Sequence, residues 1–209
     1  MASGPPGKSV LVVPDVNVLM NIHHALAPDA TMQAFTSKAI AANAEARKLR
    51  TSDLLLSRLG DTEASLASVA VALRGEFEGF PVTLHSGKHV RDTFLHKIAS
   101  VDGLEHWQKL ESMFFPREEQ MDLSERSAVN HPPLDYEDGK VSGLADYYAG
   151  EHVFDDVLIL TCDKGLVRTH DGLQTHRGVF AISPQAFLSR QLTHLSKLGF
   201  ASIPFTKGP

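Results

Sequence analysis

The chain carries one cysteine, Cys162, in 209 residues. A single thiol excludes an intrachain disulfide framework and suits a reducing compartment. No apolar run approaches the roughly 18–20 residues that a membrane-spanning helix needs, so the expectation is a cytoplasmic protein with no membrane partner. Positive charge is not in excess. The formal net charge is -5, which removes a global electrostatic footprint for nucleic acid and leaves only a local basic groove to supply one. Internal repeats and low-complexity segments are absent. So is a Gly-x-Ser-x-Gly elbow, and Gly139, Gly143 and Gly150 follow no strand in the register of a phosphate-cradling loop. His85, His89 and His96 recur along one segment, but no Cys or His spacing supplies the third protein ligand that zinc requires. Cys162, beside Asp163, is expected as a small buried residue at a strand end rather than a reactive thiol.

What is present is an apolar fraction of 43%, enough for a sizeable core, arranged as short apolar runs between amphipathic stretches. Residues 9–14 read as a first strand, with Val10–Val13 buried and Pro14 ending the ladder. A helix is expected from Val18 to Leu26, with His23 and His24 as surface or helix-end residues. Residues 29–59 form an enlarged helical segment, one long helix or a pair broken near Thr51-Ser52-Asp53. Lys38, Arg47, Lys48, Arg50 and Arg58 cluster there, a solvated face in preference to an RNA-contacting edge. A helix over 62–73, a turn-rich connector over 74–80 and a strand over 81–85 follow. Ser86 is the expected cap of a helix reaching Ser100. Trp107 lies in a further helix, and residues 117–133 form a connecting loop. The spacing of Val141, Leu144, Ala145 and Tyr148 predicts a helix within 134–150, with Asp138 at its cap. Val157–Thr161 is an apolar strand, residues 178–183 the last strand, and 184–195 a closing helix.

This alternation predicts the α/β class, a parallel sheet with helices on both faces. One domain is expected over residues 9–200, with 1–8 a flexible N-terminal tail and 201–209 a C-terminal tail. Asp15 and Asp163 then fall just past the ends of two strands, at the edge of a parallel sheet where ligands collect. Asp15 also suits a helix N-cap. Carboxylates brought together there repel, and a divalent cation relieves the repulsion. Mg²⁺ and Mn²⁺ prefer oxygen ligands and retain water.

At this point the residues resemble a family, the PIN-domain ribonucleases, which include toxins of toxin–antitoxin systems. Val-Val-Pro-Asp15-Val-Asn17-Val-Leu-Met is similar to the family's opening Asp-x-Asn-x-Leu. Ile-Leu-Thr161-Cys-Asp163-Lys-Gly-Leu is similar to its late strand followed by Thr-x-Asp. Val-Thr-Leu-His-Ser86 and the helix after it resemble the segment carrying the second acid, normally Glu, where this chain has Asp92. Asp138-Gly-Lys-Val-Ser-Gly-Leu-Ala resembles the third-acid segment, with Asp146 a rival because the interval to Asp163 is long for a compact toxin.

The resemblance implies a three-layer α/β/α fold with a central parallel sheet, to which 29–59 is an addition. It implies an Mg²⁺- or Mn²⁺-dependent ribonuclease. Asp15, Asp138 and Asp163 would bind the metal, joined by Asp92 or Asp146. Asn17 and Thr161 would orient ligands or water. The partners implied are RNA, an antitoxin protein and a second copy in a homodimer. The alternative is a catalytically impaired PIN-like module that binds RNA or protein. A more distant alternative is a phosphotransfer domain with Asp15 as nucleophile, against which Asn17 stands where a second Asp would be wanted.

Overall fold

In the computed structural model, which describes residues 8–28, 30–49, 56–99, 107, 111, 114–115, 134–170 and 178–198, Val10–Pro14 form a strand, β1, whose five residues are all buried. A strand buried on both faces needs neighbours on both edges and helices above and below, which is why it reads as an unbroken apolar run. Its neighbours are β3 (Phe80–Leu84) and β4 (Asp156–Leu160), both parallel to it. Val12 is opposite Leu84 on one side and Leu158 on the other. Beyond β4 lies β5 (Val179–Ile182), also parallel.

The fifth strand corrects the expectation of an all-parallel sheet. Glu76–Phe77 (β2) pairs antiparallel with β3 at the sheet's edge, giving the order β2-β3-β1-β4-β5. The connector expected over 74–80 is therefore a hairpin. Both residues of its tip, Glu78 and Gly79, have positive φ, 51° and 84°, the backbone of a two-residue turn whose twist matches the strands it joins. Glu78 adopts this conformation without being glycine because it is anchored. Its N–H donates to Gln191 Oε1 at 2.6 Å, and its carboxylate accepts from Arg190 at 2.5 Å.

Seven helices surround the sheet among the described residues: α1 (Val16–Leu26), α2 (Met32–Leu49), α3 (Asp61–Leu73), α4 (Lys88–Ala99), α5 (Tyr136–Gly150), α6 (Lys164–His170) and α7 (Pro184–Lys197). The α/β class is thus as expected, and the arrangement is consistent with three α/β/α layers. Helix α3 packs against β2 and β3 and against α1, α2 and α7, while α5 packs against β4 and α4. The enlarged segment contributes α2, which buries the stripe Phe35, Ala39, Ala42, Asn43 and Ala46. That is one face of a helix, and it rests on α3. Lys48 pairs with Glu45 at 3.0 Å and Lys38 donates to the Ala25 carbonyl. Arg58 is exposed. The expected break at 51–53, Arg50, both tails apart from Lys8, and the loop over 117–133 lie outside the described residues.

Three local expectations differ from the structure. His23 is core, 6% exposed, with its ring edge-on to Phe94 and Trp107. It shares the buried face of α1 with Leu19, Ile22 and Leu26. Ser86 turns its hydroxyl to the carbonyl of Pro14, to which it donates at 3.0 Å, and so ties the entry to α4 to the end of β1. The cap of α5 is Asp135, whose Oδ1 accepts from the Asp138 N–H at 2.9 Å. Asp138 is displaced into the first turn, where a carboxylate also meets the positive end of the helix. No helix among the described residues is long and apolar enough to cross a membrane.

Candidate functional site

The site begins where β1 ends. The Asp15 N–H donates to the carbonyl of Leu160, continuing the β1–β4 ladder by one bond. The chain then turns into α1 with Asp15 as its N-cap, Oδ1 accepting from the Val16 N–H at 2.6 Å. Capping uses only one carboxylate oxygen. The other, Oδ2, accepts from Asn17 Nδ2 at 2.6 Å and from the Thr161 hydroxyl at 2.8 Å. Cap and site residue are therefore one role, since the turn that starts the helix also fixes the carboxylate's direction.

Thr161 and Asn17 weld two strand ends together. Thr161, fully buried just past β4, accepts from the Asp163 N–H at 3.0 Å while it donates to Asp15. Asn17 Oδ1 accepts from the Cys162 N–H at 2.9 Å. Asp163 is exposed, and its Oδ1 accepts from the N–H groups of Gly165 and Leu166 at 2.5 and 3.1 Å at the start of α6. A side chain at position 165 would put its Cβ 2.8 Å from that oxygen, so the Asp163 carboxylate would have to shift to admit one.

Asp15, Asp138 and Asp163 line one cavity of about 420 Å³. Its wall is strongly acidic. Asp135 and Glu137, from the turn that begins α5, also face it, and Lys97 and His89 enter from α4. Burial pushes the Asp15 carboxyl above its ordinary range, against the hydrogen bonds from Thr161, Val16 and Asn17, and Asp163 pushes the same way. The Asp138 carboxyl is pushed up to about 6, first by burial and then by Asp135, Asp15, Asp163 and Glu137. Asp138 thus feels the repulsion of Asp135, Asp15, Asp163 and Glu137 together.

The structure separates the remaining expected site residues from this group. Asp92 is exposed on α4 and lies outside the cavity wall. Asp146 is half-buried further along α5 and is also outside it. Between the rival third acids, Asp138 is therefore the one that shares a cavity with Asp15 and Asp163. Four titratable wall residues are additional to those expected from the sequence. Asp135 and Glu137 were visible as an acidic run with Asp138, whereas Lys97 and His89 left no signal beyond their place on an amphipathic helix. Cys162 is not a reactive group here. Burial lifts its thiol to about 11, and its sulfur contacts Asn21 Nδ2 at 3.3 Å and Ser65 Oγ at 3.7 Å.

The donor set consists of hard carboxylate oxygens, which suits Mg²⁺ or Mn²⁺ rather than zinc. Among the described residues no three His, Cys, Asp or Glu side chains are disposed to hold one ion together. Mg²⁺ does not demand such a set, because it is commonly held by one or two carboxylates with water completing its shell. The residues therefore fit a water-rich divalent site in their chemistry, with the exposed Asp163 and the partly exposed Asp138 both lining the cavity. No protein-family model, curated protein or solved structure matches the chain, so similarity assigns it no family.

Proposed function

We propose that this protein is an Mg²⁺- or Mn²⁺-dependent ribonuclease with a PIN-like fold. The observation that carries the reading is the buried Asp15 carboxylate at the end of the central strand, gripped by Asn17 and Thr161, in one cavity with Asp138 and Asp163. Asp15, Asp138 and Asp163 would hold the cation. When bound, such an ion polarises a phosphodiester and makes water a stronger nucleophile at neutral pH.

The chain's own contribution is orientation. Thr161 and Asn17 keep Asp15 from swinging into its cap alone. The N–H groups of Gly165 and Leu166 hold Asp163 Oδ1 and leave Oδ2 for the cavity. Asp138, whose carboxyl is raised by burial and by the acids around it, is the group whose charge a cation held there would relieve most.

The test is cleavage of single-stranded RNA by purified protein in EDTA, Mg²⁺ or Mn²⁺, beside an Asp15→Asn variant shown to be folded by circular dichroism. The expected result is metal-dependent cleavage that the variant loses by at least two orders of magnitude, the scale on which positioned acid–base groups act. Equal cleavage by both proteins overturns the reading. A second reading, a PIN-like module that binds RNA or protein without turnover, is favoured by Asp92 lying outside the cavity and by the lack, among the described residues, of a three-group cluster. It predicts binding with no hydrolysis in any metal.

A further inference from the structure

Tyr136 is the most exposed large hydrophobic side chain among the described residues, at 62%, and it occupies the first position of α5, next to the acidic cavity. A single exposed hydrophobic side chain is ordinary by itself, and what sets Tyr136 apart is its place and its neighbours. Its ring is held rather than loose. His89, which lines the cavity, meets it at 5.4 Å between centroids with the two planes 89° apart. Lys140, one turn along the same helix, holds its Nζ over the ring at 5.8 Å from the centroid. His89 Nε2 is buried and has no hydrogen-bond partner, so the ring contributes here as a packing brace for Tyr136. Lys97 adds a cation to a wall that is otherwise acidic.

From this juxtaposition we propose that Tyr136, braced by His89, is a stacking platform for one base of a single-stranded RNA whose adjacent phosphate enters the acidic cavity. This rests on the ribonuclease reading for the identity of the ligand. The chemistry of the surface matches the parts of a nucleotide. A flat, exposed ring takes the face of a base, and an ammonium beside it takes a backbone phosphate. Single strands are bound in this way because every base presents a π-face once it is unpaired. A base in a duplex is stacked on its neighbours and cannot lie on a side chain, so the platform selects unpaired RNA. It also supplies attraction that the net negative charge of the chain does not. One stacked base and the ammonium beside it position the strand, and the cation that the carboxylates would hold meets the phosphate.

The experiment measures binding apart from turnover. A short fluorescein-labelled oligoadenylate and a labelled RNA duplex are titrated by anisotropy against the full chain in EDTA, and against Tyr136→Ala, Tyr136→Phe and Lys140→Ala variants. Thermal midpoints check folding, which an exposed side chain should leave unchanged. The expected result is preference for the single strand and roughly ten-fold weaker binding by Tyr136→Ala, the loss of one base–aromatic stack. Tyr136→Phe should bind like the parent, because it keeps the ring, and Lys140→Ala should bind more weakly with a shallower salt dependence. Parental affinity in Tyr136→Ala, or no binding of the single strand by the parent, overturns the platform. Cleavage by the parent together with unchanged binding in Tyr136→Ala would leave the nuclease standing and remove the platform. Weakened binding in Tyr136→Ala by a parent that cleaves nothing would do the reverse.

Discussion

The Thr161 hydroxyl donates to Asp15 Oδ2 at 2.8 Å across 146 residues of chain. That single bond joins the carboxyl ends of β1 and β4 and gives the buried carboxylate its direction. Thr161 is a junction as well as a donor, because the same oxygen accepts from the Asp163 N–H and from Asn17 Nδ2. The two acids contributed by these neighbouring strands are thus positioned through one side chain that has no contact with solvent.

Thr161→Val keeps the shape of the side chain and removes every one of these bonds. The expected cost is roughly 1–3 kcal/mol of stability, the penalty for leaving buried polar partners unpaired, read as a shift in the urea midpoint. The hydroxyl is also the strongest influence holding the Asp15 carboxyl down, so the acid limb of any pH–rate profile should move to higher pH. Thr161→Ser retains the hydroxyl and should restore the profile, although it gives up a buried methyl. If Val and Ser variants have the same profile, Thr161 is a packing residue only.

Much of this site was legible because its parts are close in sequence to the strands that carry them. Val10–Val13 and Val157–Leu160 are unbroken apolar runs, as strands buried on both faces must be, and Asp15, Asn17, Thr161 and Asp163 follow them directly. What was hidden depends on long-range packing. Asp92 was expected in the site, yet the packing of Val90, Phe94 and Ile98 rotates α4 so that His89 and Lys97 reach the cavity and Asp92 does not. His23 is buried because Trp107 and Phe94 close over it, a contact that no local pattern encodes. The hairpin at β2 was missed because two residues are too few for a periodic signal, and a positive φ at Glu78 runs against its intrinsic preference. Within Asp135, Glu137 and Asp138, cap propensity could not choose the residue that ends up outside the helix.

His85 provides a test of acid stability away from the proposed metal ligands. Burial pushes its imidazole down to about 4, and the rings of Tyr148 and Phe154 lie edge-on to it. The unfolded chain takes up a proton near pH 6.5 while the folded chain resists until about 4. The folded state therefore binds fewer protons across that interval, and stability falls as the pH is lowered through it. The total loss is on the order of 3 kcal/mol. Urea unfolding at pH 7 and pH 4.5 should show it, and His85→Phe should lose clearly less between those two values. An identical acid loss in the variant would assign the effect to other groups.

Asp138 reverses the usual carboxylate behaviour, and the reversal ties stability to metal binding. Its carboxyl is raised to about 6 from 3.8. Between those values the folded chain binds more protons than the unfolded chain, so this residue makes the protein less stable as the pH rises through the interval, and the full cost applies above about 6. Removing the charge should therefore help the metal-free protein. Asp138→Asn in EDTA is expected to gain about 1–2 kcal/mol at pH 7, allowing for the solvent that screens a partly exposed group, and to gain nothing near pH 3.5. A cation that binds the same acids offsets the same repulsion. Mg²⁺ or Mn²⁺ should raise the thermal midpoint of the parent at pH 7, raise it less at pH 5 where Asp138 is mostly protonated, and raise that of Asp138→Asn least of all, with EDTA reversing each gain. Scanning calorimetry of both proteins at these pH values, with and without metal, decides the matter. A metal-induced gain that is equal in parent and variant would place the ion elsewhere, and no gain in either would leave the acidic cavity without a cation to neutralise it.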